Sequence, residues 1–231
     1  MRKILRKIKN KLFSPPIKQD YIRVNDARVQ SILKILDDGY GHKISYELQK
    51  PVDVLGNPLP WFTYPAIEFL KQLNLIGLSV FEWGMGNSTL YFAPKVKHVL
   101  SIEHNKEWFD LISKNLPKNV TAILESAADY DKYPLKENRK FDLIIVDGIK
   151  RKECLNIAPK LLTENGLIIF DNSDRNPELC ENLRNENFLE TDFHGFGPIN
   201  PYTWTTSIFF KRNNTFKPGT FQPLIPIGGG F

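Results

Sequence analysis

Several features are scarce or missing in this chain of 231 residues, and each excludes a class of protein. The two cysteines, Cys154 and Cys180, are too few for a disulfide framework or a cysteine-rich zinc site, and we expect buried thiols in predicted helices. No apolar run approaches the roughly 18 residues of a membrane-spanning helix. The first residues also lack the continuous apolar core of a secretory signal. We therefore expect a cytoplasmic protein.

An excess of positive charge is missing from most of the chain, although the net charge is +5. Residues 1–18 contain seven basic residues and no acid, whereas the remaining 24 basic residues are outnumbered by 26 acidic ones. A slightly acidic body argues against a nucleic-acid-binding surface, so we expect no nucleic acid partner. With 42% hydrophobic and 12% aromatic residues, the chain can form one full core.

Residues 1–18 are predicted to form a basic amphipathic arm. Within residues 1–13, apolar side chains at Ile4, Ile8 and Leu12 recur at the spacing of one helix face, and cations occupy the other face. Basic amphipathic helices of this kind bind anionic membrane surfaces. We expect either peripheral association with the inner face of a membrane or a helix with no partner beyond its own domain.

The rest of the chain divides into three segments. They are a helical prelude or cap over residues 19–75, an alternating α/β core over residues 76–212, and a tail rich in proline and glycine over residues 213–231. Aromatic side chains at Trp61, Phe62 and Tyr64 lie near the end of the prelude. They either line a ligand pocket or pack the prelude on the core.

The strongest local pattern is a strand followed by a glycine turn and a helix. Residues 78–83 are apolar and aromatic apart from Ser79 and Glu82, as in a buried parallel strand. The turn and the start of the helix have the sequence Gly84-Met85-Gly86-Asn87-Ser88-Thr89, in which Asn87 or Ser88 can cap the helix. A strand, turn and helix N-terminus in this order form a ligand cradle at the carboxyl edge of a sheet.

Two common phosphate-binding motifs are absent from this cradle. Thr89 stands where the dinucleotide fingerprint requires its third glycine. The chain contains no Gly-Lys-Ser/Thr triplet, which a P-loop would need. Glu82, just before the turn, favours a ligand with a cationic group over a pyrophosphate.

A second predicted strand, residues 98–103, ends in Glu103, which lies 21 residues after Glu82. An acid about 20 residues beyond such a glycine loop is placed to accept hydrogen bonds from ribose hydroxyls. Residues 81–105 thus resemble the first two motifs of the class I S-adenosylmethionine-dependent methyltransferases, and the resemblance extends to about residue 210.

The resemblance implies a fold, a cofactor and a set of binding residues. The fold is α/β and Rossmann-like, with a seven-stranded, mostly parallel sheet, helices on both faces and here an N-terminal helical extension. The cofactor is S-adenosylmethionine, placed over the first and second strand ends, with Ser126 and Ala127 beside the adenine ring. Carried over residue by residue, the cofactor-binding set is Glu82, Gly84, Met85, Gly86, Asn87, Ser88, Glu103, His104, Ser126, Ala127 and Asp147.

Oxygen-bearing side chains also follow two later predicted strands. Asp147 lies at the end of one strand, and Asp171 and Asn172 lie at the end of the next. Neighbouring parallel strands are about 4.8 Å apart, so these side chains can meet on one hard cation such as Mg²⁺. Lys150 lies three residues beyond Asp147 and can reach the same place.

This arrangement resembles the metal-dependent O-methyltransferases of the catechol and caffeoyl-coenzyme A type. The resemblance implies that Asp147, Asp171 and Asn172 hold Mg²⁺ or another divalent cation. It also implies that Lys150 removes the proton of the acceptor hydroxyl. The alternative is a metal-free site in which Asp147, Asp171 or His194 is the base, with His194 predicted on a glycine-rich loop after the sixth strand.

We therefore expect an S-adenosylmethionine-dependent methyltransferase that methylates a hydroxyl group of a small molecule or a glycan. Asn200-Pro201-Tyr202 is similar to the Asn-Pro-Pro-Tyr motif of enzymes that methylate adenine in DNA, but it follows the sixth strand instead of the fourth. An alternative function is a non-catalytic scaffold or binding protein of the same fold at a membrane surface. A nicotinamide oxidoreductase is disfavoured by Thr89.

Overall fold

The computed structural model describes residues 26–220 and 222–229. The basic arm, residues 1–18, lies outside the described residues, and so do the first part of the prelude and the last two residues of the tail. Membrane association of the arm therefore stays a prediction. Among the described residues, no helix combines the length and the apolar character needed to cross a bilayer.

Seven strands form one sheet, and the prediction of a mostly parallel sheet is confirmed. The strands are β1 (Ser79–Trp83), β2 (His98–Glu103), β3 (Val120–Leu124), β4 (Phe141–Val146), β5 (Leu162–Asp171), β6 (Phe188–Gly195) and β7 (Trp204–Lys211). Their order across the sheet is β3-β2-β1-β4-β5-β7-β6. Strands β1 to β5 pair in parallel, and β7 runs antiparallel to both β5 and β6.

Helices connect the strands and precede them. They are α1 (Ala27–Lys34), α2 (His42–Leu48), α3 (Tyr64–Lys71), α4 (Asn87–Phe92), α5 (Lys106–Ile112), α6 (Arg151–Leu161) and α7 (Pro177–Asn185). A single π-helical turn, Ile35–Gly39, extends α1. Short 3₁₀ turns include Ser113–Asn115 after α5 and Ser173–Arg175 after β5.

The sheet is buried on both faces, because its strands alternate between two hydrophobic clusters. In β1, Phe81 and Trp83 face the cluster that α6 and α7 complete, whereas Val80 faces the cluster completed by α3 and α4. Cys154 and Cys180 are free thiols buried in α6 and α7. Phe62 and Tyr64 are also buried, so these two aromatic side chains pack the prelude on the core.

Local predictions differ from the structure mainly at element ends. The predicted second strand, residues 98–103, has the observed bounds of β2. Strand β5 begins at Leu162, directly after α6. Helix α4 begins at Asn87 with Gly86 as its N-cap, so neither predicted residue caps it. Asn87 Nδ2 donates to the carbonyl of Pro51 at 2.6 Å, and the Ser88 hydroxyl donates to Glu82.

Candidate active site

The carboxyl ends of β1 and β4 lie side by side at the point where the chain order of the sheet reverses. In open α/β sheets, ligands bind in the crevice outside this point. Gly84, directly after β1, has φ +104°, a conformation that only glycine adopts without strain. A Cβ at Gly84 would lie 2.9 Å from the amide nitrogen of Gly148, so the turns after β1 and β4 are in close contact.

Glu82 lies beneath the glycine turn and not in a cavity. Its side chain is fully buried, and its two oxygens accept hydrogen bonds from the hydroxyls of Ser88, Thr89 and Ser101. Thr89 Oγ1 also accepts from the Gly86 amide at 3.0 Å, which fixes the start of α4. The structure therefore gives Glu82 a positioning part in place of the predicted contact with the cofactor. Burial raises its pKa to about 7.

A cavity of about 730 Å³ opens above this turn. Five parts of the structure surround it: the glycine turn with the start of α4, the end of β2, one face of α5, the turn after β4, and the prelude. The lining includes most of the predicted cofactor set, namely Gly84, Met85, Gly86, Asn87, Ser88, Glu103, His104 and Asp147. We call it the first cavity.

Glu103 presents one free carboxylate oxygen to the first cavity. Its Oε1 accepts from the backbone amides of His104 and Asn105, both at 2.8 Å, and lies 2.9 Å from His104 Nδ1. Within residues 26–220 and 222–229, no partner bonds Oε2. The backbone bonds hold the carboxylate in place, so Oε2 is ready to accept hydrogen bonds from a ligand.

Trp108 and Trp61 form aromatic walls of the first cavity. Trp108 lies on α5, and its indole Nε1 donates to the backbone carbonyl of Met85, which ties α5 to the glycine turn. Trp108 was not among the predicted site residues. Its position in the first turn of the helix that follows the second strand was the available signal. Trp61 belongs to the prelude, which also closes the cavity with Gln49, Lys50 and Pro51.

Ser126 and Ala127 do not line the first cavity. Both are exposed in the turn after β3. The lining extends instead along α5, through Leu111, Ile112 and Asn115. The predicted placement of Ser126 and Ala127 beside the adenine ring therefore has no support from the lining of the first cavity.

A second cavity, of about 300 Å³, adjoins the first at the ends of β4 and β5. Asp147 and Trp61 line both cavities, so they form the boundary between them. The remaining lining consists of Arg151, Asp171, Asn172, Arg175, Asn200, Tyr202 and Trp204. Most of these side chains are polar, and the sequence analysis had singled out only Asp171 and Asn172 as site residues.

Arg151, the first residue of α6, connects the ends of β4 and β5. Its Nη2 donates to Asp147 Oδ1 at 2.9 Å and to the Asp147 carbonyl at 3.1 Å. Its Nη1 donates to Asn172 Oδ1 at 3.1 Å and to the Asp171 carbonyl, and its Nε donates to the Gly148 carbonyl at 2.9 Å. The guanidinium thus lies among the side chains that the sequence analysis assigned to a metal.

The Asp171 carboxylate turns toward β7. Its Oδ1 accepts from Trp204 Nε1 at 2.9 Å and from Thr206 Oγ1 at 2.6 Å, and its side chain is almost fully buried. Burial raises the pKa of Asp171, and the nearby charge of Asp147 adds to this shift. Burial also raises the pKa of Asp147, although Arg151 opposes that shift.

These contacts do not fit the predicted Mg²⁺ site. A hard cation needs the oxygens of Asp147, Asp171 and Asn172 to point at one place. Instead, a guanidinium bonds Asp147 and Asn172, and Asp171 bonds Trp204 and Thr206. Among the described residues there is also no cluster of three or more histidine, cysteine or acidic side chains suited to a metal.

Lys150 and His194 lie away from both cavities. The Lys150 amine bonds Asp131 Oδ1 at 2.7 Å and the Ala128 carbonyl at 2.9 Å, and its hydrogen bond to Asp131 raises its pKa, which disfavours a role as base. His194 lies inside β6, not on a loop after it, and its Nδ1 is 2.6 Å from Thr205 Oγ1. The predicted positions of both side chains are therefore wrong.

Comparisons with known proteins support the fold described above and do not extend to function. No family model matches the chain, and no curated protein matches it. A Staphylococcus aureus protein proposed to be a caffeoyl-CoA O-methyltransferase superposes with a TM-score of 0.54 at 17% identity, over 80% of this chain and 100% of its own. The precorrin-6y C5,15-methyltransferase of Geobacter metallireducens GS-15 superposes with a TM-score of 0.50 at 16% identity, over 64% and 87%. The chain therefore has the Rossmann-like fold of the class I methyltransferases, as the sequence predicted.

Proposed function

We propose that the chain is an S-adenosylmethionine-dependent methyltransferase that methylates a hydroxyl group of a small molecule or a glycan. One observation carries the proposal: the first cavity joins a glycine turn to a buried acid with a free oxygen, Glu103 Oε2, at the switch point of the sheet. Its volume of about 730 Å³ lies within the usual range of about 300–1,000 Å³ for small-molecule sites.

Each part of the first cavity suits a part of this cofactor. Glu103 accepts hydrogen bonds from the ribose hydroxyls. The side chains of α5, with Trp108 and Leu111, provide an apolar and aromatic wall for the adenine ring. Gly84 and Gly86 let the backbone approach the methionine part closely. These assignments replace the predicted contacts of Glu82, Ser126 and Ala127.

Asp147 is the proposed base. It lies on the boundary of the two cavities, so a hydroxyl bound in the second cavity can contact it while the cofactor occupies the first. Arg151 holds Oδ1, and no described residue bonds Oδ2, which is therefore available to take the hydroxyl proton. When bound, S-adenosylmethionine supplies an electrophilic sulfonium methyl, whose transfer breaks a sulfur–carbon bond and forms an oxygen–carbon bond. The protein contributes mainly by positioning the two reactants.

Calorimetric titration of the purified chain with S-adenosylmethionine and, separately, with NAD tests the proposal. We expect binding of S-adenosylmethionine alone. Glu103→Gln keeps an acceptor for the amides of His104 and Asn105 but replaces the free oxygen by a donor, so affinity should fall by about tenfold or more. Glu107→Gln, an exposed change on α5 outside both cavities, is the matched control.

Two outcomes would contradict the proposal. Binding of NAD in place of S-adenosylmethionine would show that the glycine turn was misinterpreted and would favour an oxidoreductase. Absence of binding by either ligand would favour the alternative of a non-catalytic scaffold.

We also keep peripheral association with an anionic membrane as a proposal. It is supported by the seven cations of residues 1–18 and by the apolar helical spacing within residues 1–13. Deleting residues 1–13 should abolish co-sedimentation with phosphatidylserine-containing liposomes and leave titration with S-adenosylmethionine unchanged. If the deletion variant still binds liposomes, this proposal is wrong.

A further inference from the structure

We propose that the second cavity binds a hydroxyl-rich ring that carries one carboxylate or phosphate group, and that Arg175 binds this anionic group. The inference rests on the proposed function, because it names the class of acceptor that the methyltransferase site would take. Four features of the second cavity support it. All guanidinium N–H donors of Arg151 bond protein oxygens, whereas no described residue bonds those of Arg175, and the Asp171 carboxylate accepts from protein donors. The fourth feature is a set of three aromatic rings, those of Trp61, Tyr202 and Trp204.

Arg151 has no hydrogen-bonding capacity left for a ligand. A guanidinium has five N–H donors. Arg151 makes five hydrogen bonds to protein oxygens, on Asp147, Gly148, Asp171 and Asn172. It therefore neutralises Asp147 and shapes the wall of the cavity, but it does not bind the acceptor.

Arg175 is the opposite case. It ends the 3₁₀ turn Ser173–Arg175 and lines the second cavity. No side chain in the described part of the chain forms an ion pair or hydrogen bond with its guanidinium, and the adjacent Asp174 carboxylate accepts from the Thr205 amide at 3.1 Å. Arginine presents a planar, always charged fork that matches the oxygens of a carboxylate or a phosphate.

The acids of the cavity bond other groups and form no hydrogen bond or ion pair with Arg175. Asp147 is paired with Arg151 at 2.9 Å. Asp171 is buried, accepts from Trp204 and Thr206, and has a raised pKa, which favours its neutral form. Arg175 acts on Asp147 only through space, so its N–H donors stay open to an anionic ligand in the second cavity.

The rest of the lining suits a ring with hydroxyl groups. Trp61, Tyr202 and Trp204 offer aromatic faces and edges, with the rings of Tyr202 and Trp204 6.0 Å apart. Amide groups of Asn172 and Asn200 can donate to hydroxyls and accept from them.

Cavity size limits how much of the acceptor lies inside. The volume of about 300 Å³ is at the lower end of small-molecule sites, so it fits one ring. Trp61 and Tyr202 are 42% and 50% exposed, so the cavity is open to solvent and the remainder of a larger acceptor can extend outward.

The test compares matched ligands on the full chain. D-glucuronate, D-glucose 6-phosphate and D-glucose are titrated into the wild type, Arg175→Gln and the control Arg212→Gln, with binding followed by NMR. Arg212 is exposed and lines neither cavity. We expect at least one of the two anionic sugars to bind about tenfold or more tightly than D-glucose, a preference that Arg175→Gln removes and Arg212→Gln keeps.

Which anionic sugar binds more tightly distinguishes a carboxylate from a phosphate. The inference is overturned if D-glucose binds as tightly as the anionic sugars, if none of the three binds, or if Arg175→Gln retains the preference. Titration of the wild type with S-adenosylmethionine separates this failure from that of the proposed function. Binding of the cofactor without a preference for anionic sugars contradicts only the inference about Arg175. Absence of cofactor binding contradicts the proposed methyltransferase function.

Discussion

The guanidinium of Arg151 donates two hydrogen bonds to Asp147, one to the carboxylate at 2.9 Å and one to the backbone carbonyl at 3.1 Å. Both residues have side chains that are 23% exposed. The same guanidinium reaches Asn172, so it connects the residues that follow two paired strands, β4 and β5, just beyond the last paired positions Val146 and Phe170. A side chain of the protein thus supplies the positive charge at the place where the sequence suggested a metal ion.

Replacing Arg151 should destabilise the fold. Arg151→Met leaves the Asp147 carboxylate, the Asn172 amide oxygen and three backbone carbonyls without their donors, so the free energy of unfolding should fall by about 2–3 kcal/mol. Urea denaturation at neutral pH measures the change. Arg175→Met, in the same cavity but without such partners, should cost less than about 0.5 kcal/mol. Equal losses of unfolding free energy in the two variants would show that the hydrogen bonds of Arg151 do not stabilise the fold.

Divalent cations should leave the stability of the wild type unchanged. Since Arg151 bonds Asp147 and Asn172, a cation would have to displace a guanidinium that makes five hydrogen bonds. The thermal unfolding midpoint should be the same in EDTA and in millimolar Mg²⁺. A rise with Mg²⁺ that Asp171→Asn abolishes would instead support the predicted metal site.

Glu82 should make stability depend on pH. Its pKa is raised by burial from an ordinary value of 4.5 to about 7, so the folded state binds the proton more tightly than the unfolded state. The corresponding stability is fully present below pH 4.5 and is lost as the pH rises through about 7. The loss should be on the order of 3 kcal/mol.

Glu82→Gln cannot ionise, so this variant should show a flatter dependence of unfolding free energy on pH between about 4.5 and 7. Denaturation at a series of pH values measures it, with Glu107→Gln as the exposed control. An unchanged slope in Glu82→Gln would mean that Glu82 is ionised in the folded protein over this whole range.

Gly84→Ala should be more damaging than an alanine at another left-handed glycine. At Gly84 the new Cβ would lie 2.9 Å from the Gly148 amide, whereas at Gly77, with φ +84°, it would meet nothing within 4 Å. Gly77→Ala should therefore cost about 1 kcal/mol from the backbone alone, and Gly84→Ala a further 1–3 kcal/mol, roughly, from overpacking. Chemical denaturation of both variants compares them, and similar costs would indicate that the two turns can separate freely.

Much of the fold was predictable because its strands carry a simple signal. Strands β1, β2 and β4 are buried on both faces, so they appear as short, nearly continuous apolar runs, each with an acid within or just after it. Since parallel strands end at one edge, Glu103 and Asp147 could be placed at the site from their positions alone. Both line the first cavity.

The direction of side chains in the turns was not predictable in the same way. Lys150 has φ +50°, a left-handed conformation that is uncommon for lysine and that no local pattern signals. Its amine lies against Asp131, and the next residue, Arg151, points to Asp147. Asn172 has a similar φ of +54° and meets the same guanidinium.

By itself, then, the sequence determined the order of strands and helices along the chain, the glycine turn and the acids at the strand ends. Burial and backbone conformation favour particular residue types at regular spacings, so these features can be recognised from the sequence. Only the tertiary structure decided what each of those polar groups contacts. Glu82 bonds three hydroxyls beneath the turn, and Asp171 bonds Trp204 and Thr206 on a strand more than thirty residues later. A buried polar group must find its partner within hydrogen-bond distance, and that partner is set by packing between elements distant in the chain.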